Sequence, residues 1–219
     1  MNNIGVIFDM DGVIIDSNNA HRGAIREFLA NHGLELTEEQ LIENVFGRTN
    51  ADWIPYAFGE QQLTEEELKD YALEKEEIFR NIFDEEEAYV EGISEFIFHL
   101  KRNGVPMAIG TSAPIENVAF TLKKLQLDDV FDVIVDDSMV TKSKPDPQAF
   151  LICAEKLNLP NDRCVIFEDS LSGIQAAKKS GSKVIGVATT HSLYELRECD
   201  DTIENFKDLS MKNLEDLFK

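Results

Sequence analysis

Ile4-Gly5-Val6-Ile7-Phe8-Asp9-Met10-Asp11-Gly12 opens the chain with an apolar run that ends abruptly in two aspartates one residue apart. A short apolar run bounded by glycine reads as a buried strand, and the carboxylates therefore stand at its mouth. Two anions placed side by side in a buried setting are costly unless a cation compensates them. The pair points to a metal-assisted reaction centre rather than to packing.

The remainder supports an α/β reading. From Gly92 onward helices and strands alternate: helix Ile93 to Asn103, strand Val105 to Ile109, helix Ile115 to Leu125, strand Phe131 to Val135, helix Pro147 to Leu157, strand Cys164 to Phe167, helix Ser172 to Lys179 and strand Lys183 to Val187. Such alternation predicts a parallel sheet wound with helices, whose ligands collect beyond the carboxyl ends of the strands. Between the first strand and this region, about residues 17 to 87 read as helical throughout. Ala24, Ile25, Phe28 and Leu29 recur at helical spacing before Gly33. Thr37 with Gln40 and Thr64 with Glu67 fit the capping-box pattern, and Leu68, Tyr71, Ala72, Phe79 and Ile82 form an apolar stripe. The expected organisation is a core of residues 1–16 and 88–219, with 17–87 inserted as a helical cap over the strand ends.

Composition narrows the function classes. The 219 residues, 43% hydrophobic, can bury a substantial core. Forty-two acidic residues against 21 Lys and Arg give a formal net charge of −21, which disfavours nucleic acid and anionic membrane as partners. Cys153, Cys164 and Cys199 lack CxxC spacing and read as free thiols of a reducing cytoplasm, with no zinc site. The first strand begins without a basic stretch and apolar leader, and no run approaches the roughly 20 apolar residues of a membrane span. The acidic runs Glu65-Glu66-Glu67 and Asp84 to Glu87 read as solvated helix ends or turns.

Residues at successive predicted strand ends have uses in phosphoryl transfer. Asp9, Glu168 and Asp169, with a main-chain carbonyl near Asp11, would form the oxygen-rich site that Mg²⁺ prefers. Thr111 and Ser112 could donate hydrogen bonds to phosphoryl oxygens, and Lys144 could neutralise developing charge. Of the two leading aspartates, one would attack phosphorus and the other would handle the leaving-group proton.

Phe8-Asp9-Met10-Asp11-Gly12-Val13, Gly110-Thr111-Ser112, Lys144-Pro145-Asp146-Pro147 and Phe167-Glu168-Asp169-Ser170, in this order, resemble the motifs of the haloacid dehalogenase superfamily, in particular its β-phosphoglucomutase-like branch of phosphatases and mutases. The resemblance spans nearly the whole chain. It implies a Rossmann-like, three-layer α/β/α core with an inserted helical cap, Mg²⁺ as cofactor, an aspartyl-phosphate intermediate on Asp9 and acid/base catalysis by Asp11. Asp9, Asp11, Glu168 and Asp169 become the expected metal-binding residues. A small phosphorylated metabolite, such as a sugar phosphate, is the expected substrate, and a monomer the expected state.

Substrate selection falls to the cap, with His21, Arg48, Asn50, Trp53, Lys75 and Arg80 as candidates and Ser112 contributing from the core. His21 reads as a substrate contact near the hinge, and Arg48, after Phe46-Gly47, as a possible grip on a distal anion. For Lys75 the favoured reading is surface solvation. For Trp53, Tyr56 and Phe58 it is packing between cap helices. Mutases of this branch carry an arginine three places after the cap-loop glycine, where this chain has Asn50. That departure favours a phosphatase over a phosphohexomutase interconverting sugar 1- and 6-phosphates. The segment Tyr89-Val90-Glu91-Gly92 also departs from the family, whose members usually have proline before this glycine.

Overall fold

The computed structural model describes residues 4–46, 48–59, 62–83 and 89–219. Gly47 and the acidic run Asp84 to Glu87 lie outside the described residues. The chain forms two compact units, one of Met1–Asp16 with Glu85–Lys219 and the other of Ser17–Asp84.

The first unit is built on six parallel strands: β1 (Gly5–Phe8), β2 (Met107–Gly110), β3 (Val133–Val135), β4 (Cys164–Glu168), β5 (Lys183–Val187) and β6 (Asp201–Ile203). Their spatial order is β3-β2-β1-β4-β5-β6. The chain runs outward from β1 through β2 to β3, then crosses back to β4 beside β1. This is the doubly wound arrangement, with its reversal between β1 and β4. Phe8 is opposite both Ile109 and Phe167, so the residues that follow β1, β2 and β4 emerge at one level.

The apolar runs are continuous because both faces of the sheet are covered. On one face Phe8 stacks on Phe167 at 5.2 Å between ring centroids, with Phe96 and Phe206 around them. The other face packs Ile7, Ala108, Ile166 and Val184 against Phe150 and Cys153. The helices that cover the sheet are α5 (Ile93–Arg102), α6 (Ile115–Lys124), α7 (Gln148–Lys156) and α8 (Leu171–Ser180), and α9 (Met211–Asp216) closes the chain.

Two expected strands begin late. β2 starts at Met107, after Pro106, which has no N–H to donate to a ladder. β3 starts at Val133, after Asp132, whose carboxylate accepts the Met107 N–H at 2.9 Å. β6 and α9 had no counterpart in the sequence reading, since three half-exposed residues and a six-residue helix leave no periodic signal. The departing segment Tyr89 to Gly92 is anchored in this unit. Tyr89 bridges Ile15, Val90 N–H donates to the Ile14 carbonyl, and Gly92 adopts φ +82 where a Cβ would stand 2.6 Å from the Lys207 backbone nitrogen.

The second unit is helical, with α1 (Asn18–Asn31), α2 (Glu38–Asn44), α3 (Asn50–Phe58) and α4 (Glu65–Ile82). Both expected capping boxes form, at Thr37 and Thr64, and Glu65 to Glu67 occupy the exposed first turn of α4, where the helix dipole favours negative charge. Trp53 is buried edge-on to Phe28, and Phe58 stacks on Tyr71, as interhelical packing requires. Tyr56 is partly exposed. The expected α4 stripe needs correction: Ile82, at 38% exposure, lies outside it, while Lys75 and Glu76 are buried.

Candidate active site

β1 delivers Asp9 to the carboxyl edge of the sheet, and the Asp9 N–H continues the ladder by donating to the Phe167 carbonyl at 3.0 Å. The chain then turns tightly. The Met10 carbonyl accepts from Ile14 and Ile15, and Gly12 N–H donates to the Ile15 carbonyl at 2.6 Å. The turn leaves Asp11 half-buried two residues beyond Asp9, close enough that its charge raises the Asp9 pKa. Gly12 has φ +80, and a Cβ there would lie 2.0 Å from Asp169 Oδ2. Only glycine suits both its conformation and the close approach of that carboxylate.

β4 supplies Glu168 and Asp169. Glu168 is fully buried, and its Oε1 accepts from the backbone N–H groups of Asp169 (3.2 Å) and Ser170 (3.0 Å) and from Ser170 Oγ (2.8 Å). A Cβ on Gly173 would lie 2.1 Å from Glu168 Cδ, so the first turn of α8 makes room for this carboxylate by having no side chain there. Carboxylate oxygens of Asp9, Glu168 and Asp169 lie within 4.8 Å of one another.

Lys144 enters from the segment before α7, 135 residues from Asp9 in sequence, and bridges the cluster. Its Nζ donates to Asp9 Oδ1 at 2.8 Å and to Glu168 Oε2 at 2.7 Å, and it lies 4.9 Å from the Phe150 ring centroid. Burial disfavours the ammonium, yet the charges of Asp9 and Glu168 outweigh it and raise the Lys144 pKa. Burial and the Glu168 charge push Asp9 up from 3.8 to about 7 against the opposing pull of Lys144. Asp169 is raised well above its ordinary value, first by burial and then by Glu168 and Asp9.

Three carboxylates against one ammonium leave excess negative charge in a buried site, which accords with the upward shifts of Asp9 and Asp169. The donor set, all hard carboxylate oxygen, fits a divalent cation of the magnesium or calcium type. Asp9, Glu168 and Asp169 would hold it.

Thr111 follows β2 and is buried, its N–H donating to the Val135 carbonyl. Its Oγ1 accepts the Ala113 N–H at 3.1 Å and retains its own proton to donate. Ser112 is exposed. Two functional contacts escaped the sequence reading. Thr190 Oγ1, in the loop after β5, donates to Asp169 Oδ2, and Thr189 Oγ1 donates to the Gly12 carbonyl at 2.5 Å. Together they brace both halves of the acidic site, and no spacing in the sequence links position 190 with position 169.

Within the helical unit, the remaining candidates divide. His21, Asn50 and Lys75 join one network: Lys75 Nζ donates to His21 Nδ1 and to Glu76 Oε1, both at 2.9 Å, and Asn50 Nδ2 donates to Glu76 Oε1 at 2.8 Å. Lys75, 4% exposed, is thus not a solvated surface lysine, because its charge is compensated by the neighbouring buried carboxylate. Arg48 stays exposed, with Nη2 3.5 Å from the Glu43 carbonyl. Arg80, in the last turn of α4, is half-buried.

Comparison with known proteins agrees with this geometry. The profile of the haloacid dehalogenase-like hydrolases matches residues 6–187. A phosphorylated carbohydrates phosphatase of Thermotoga maritima is 32% identical over 189 residues, covering 86% of each chain. The fructose-1-phosphate phosphatase of Escherichia coli is 34% identical over 188 residues, covering 84% of this chain and 95% of its own. Among solved structures, a family IA, variant 3 hydrolase of Entamoeba histolytica superposes with a TM-score of 0.90 at 28% identity, covering 98% of this chain and 99% of its own.

Proposed function

The chain belongs to the haloacid dehalogenase-like hydrolases, and from that premise we propose that it is a Mg²⁺-dependent phosphatase of small sugar phosphates, acting through transient phosphorylation of Asp9. The observation that carries this reading is the buried cluster of Asp9, Glu168 and Asp169 bridged by Lys144. The relatives named for phosphorylated carbohydrates and for fructose 1-phosphate support the substrate class.

In this mechanism an Asp9 carboxylate oxygen attacks phosphorus while the bond to the sugar oxygen breaks. Asp11, two residues on, gives its proton to that leaving oxygen. Water then attacks the aspartyl phosphate, Asp11 takes a water proton, and the Asp9–phosphorus bond breaks to release phosphate. Lys144 holds Asp9 in place and offsets charge that grows on the phosphoryl oxygens, while Thr111 and Ser112 orient them. A divalent cation held by Asp9, Glu168, Asp169 and the Asp11 main-chain carbonyl would supply the counter-charge that lets an anionic nucleophile meet an anionic phosphate.

Residues 17–87 act as the selecting cap, with His21, Asn50 and Lys75 contacting the sugar and Arg48 at its periphery. A cytoplasmic setting accords with the three free thiols. Among the described residues no helix is long and apolar enough to cross a membrane.

The test is phosphorus NMR of the protein with Mg²⁺ and a sugar-phosphate panel that includes β-glucose 1-phosphate with trace glucose 1,6-bisphosphate. Inorganic phosphate should accumulate with the wild type, vanish with Asp9→Asn and form slowly at best with Asp11→Asn. Wild-type rates in Asp9→Asn would overturn the mechanism, and conversion to glucose 6-phosphate with little free phosphate would replace the phosphatase with a mutase.

A further inference from the structure

Asp9 and Glu168 stand at the ends of paired strands, whereas Lys144, which bridges them through contacts of 2.8 and 2.7 Å, rises from irregular backbone before α7. A lysine has a flexible four-carbon stem, so its ammonium is placed only as well as the backbone beneath it is held. Pro145 and Pro147 follow it and have no N–H to tie that backbone down. The tie comes from Gln148, the first residue of α7. Gln148 Oε1 accepts the N–H groups of Thr141 (2.9 Å) and Lys142 (3.0 Å) and the Thr141 hydroxyl (3.2 Å). Donors converge on that atom, so it is the carbonyl oxygen of the amide.

These bonds run from position 148 back to 141 and 142 and so close a loop around Lys144. A side chain that only capped α7 would accept from the N–H groups of that helix's own first turn. Asp146 fills that role, its Oδ1 accepting the Gln148 N–H at 3.1 Å. Within the loop, Asp146 N–H donates to the Ser143 carbonyl at 3.0 Å, which turns the chain across Lys144 and Pro145, and Lys179 Nζ of α8 donates to the Pro145 carbonyl at 3.0 Å. The clamp has a firm base. Ala149 and Phe150, next to Gln148, are buried in the layer that also holds Ile7 of β1 and Ile166 of β4, and the Phe150 ring centroid lies 4.9 Å from Lys144 Nζ. Gln148 therefore ties the lysine's loop to the packing that supports the strands carrying Asp9 and Glu168.

We propose that Gln148 is a positioning residue for phosphoryl transfer, whose amide oxygen clamps residues 141–148 and so sets where the Lys144 ammonium stands between Asp9 and Glu168. The proposal rests on the phosphatase reading above. Gln148 touches neither the nucleophile nor the phosphate in this role, and everything it contributes to the rate passes through Lys144.

The test is a double-mutant cycle of Gln148→Met, which keeps an unbranched side chain of similar length without the acceptor, and Lys144→Met. Phosphate release is followed with Mg²⁺ on whichever ester of the sugar-phosphate panel is hydrolysed fastest. Because a shift of about 1 Å in a charge-stabilising group can cost about 10²-fold, Gln148→Met should lower kcat by about 10–100-fold in the wild type. In the Lys144→Met background it should change kcat by no more than about twofold. A merely structural role would cost the same factor in both backgrounds. An additive cycle, an unchanged kcat in Gln148→Met or a loss confined to KM overturns the proposal. Gln148→Ala removes the same acceptor and serves if the methionine variant does not fold. If no phosphate is released from any ester, the phosphatase reading fails, and thermal unfolding of the same four proteins in the presence of a chelator takes the place of turnover. A smaller fall in Tm on Lys144→Met in the Gln148→Met background than in the wild type then supports the clamp, and an equal or larger fall removes it.

Discussion

Replacing Lys144 by methionine keeps most of the apolar stem and removes the only ammonium described in the acidic cluster. Its Nζ makes contacts of 2.8 Å with Asp9 and 2.7 Å with Glu168. At an effective dielectric near 20, each is worth about 6 kcal/mol of Coulomb attraction before desolvation is subtracted. Breaking a buried pair by removing one partner nets a loss of about 3–5 kcal/mol. For a chain of this size that corresponds to a fall in Tm of roughly 6–20 °C. The loss should depend on pH. Asp9 is already raised from 3.8 to about 7, and Lys144 is one of the groups pulling it down, so the variant's Asp9 must titrate higher still. Between the unfolded and folded values the native state holds a proton that the unfolded chain lacks, and stability falls as pH rises through that window. The wild type leaves the window near pH 7 and the variant later, so the gap between them should widen from pH 6 to pH 8. Thermal unfolding in the presence of a chelator measures it. Turnover should fall about 10²–10³-fold with the loss of a preorganised charge. A Tm within about 2 °C of wild type at pH 8, together with kcat within about threefold, would show that the lysine neither balances the cluster nor stabilises the transition state.

Two further substitutions probe contacts that only the fold creates. Thr190→Val removes the hydroxyl that holds Asp169. Calorimetric Mg²⁺ affinity should fall about 10-fold or more, as for other residues that orient metal-binding groups, with Thr190→Ser restoring it; equal affinity in the valine variant would detach Thr190 from the site. Gly173→Ala would set a methyl 2.1 Å from Glu168 Cδ. It should destabilise the protein by about 1–3 kcal/mol through overpacking and reduce phosphate release, and wild-type denaturation and turnover would show that Glu168 has room to retreat.

The sequence by itself determined the doubly wound core and the gathering of acidic residues at its strand ends, because both follow from short-range rules. A buried parallel strand must be apolar along its length, and a residue placed just after such a strand lies at the sheet edge where ligands collect. Asp9, Thr111 and Glu168 could therefore be located from their own neighbours. Lys144 was legible as a candidate through its motif, but its bridge between Asp9 and Glu168 depends on three segments meeting. The tertiary structure alone decided which groups compensate which charges. Thr190 reaches Asp169 from the loop after β5, and Gly173 yields space to a carboxylate five residues earlier. Lys75 looked like a solvated lysine on an acidic helix, and only the approach of α1 and α3 turned it into a buried pair with Glu76. A periodic pattern records which face of a helix is buried, but charge compensation depends on distances between residues that the chain does not place next to one another.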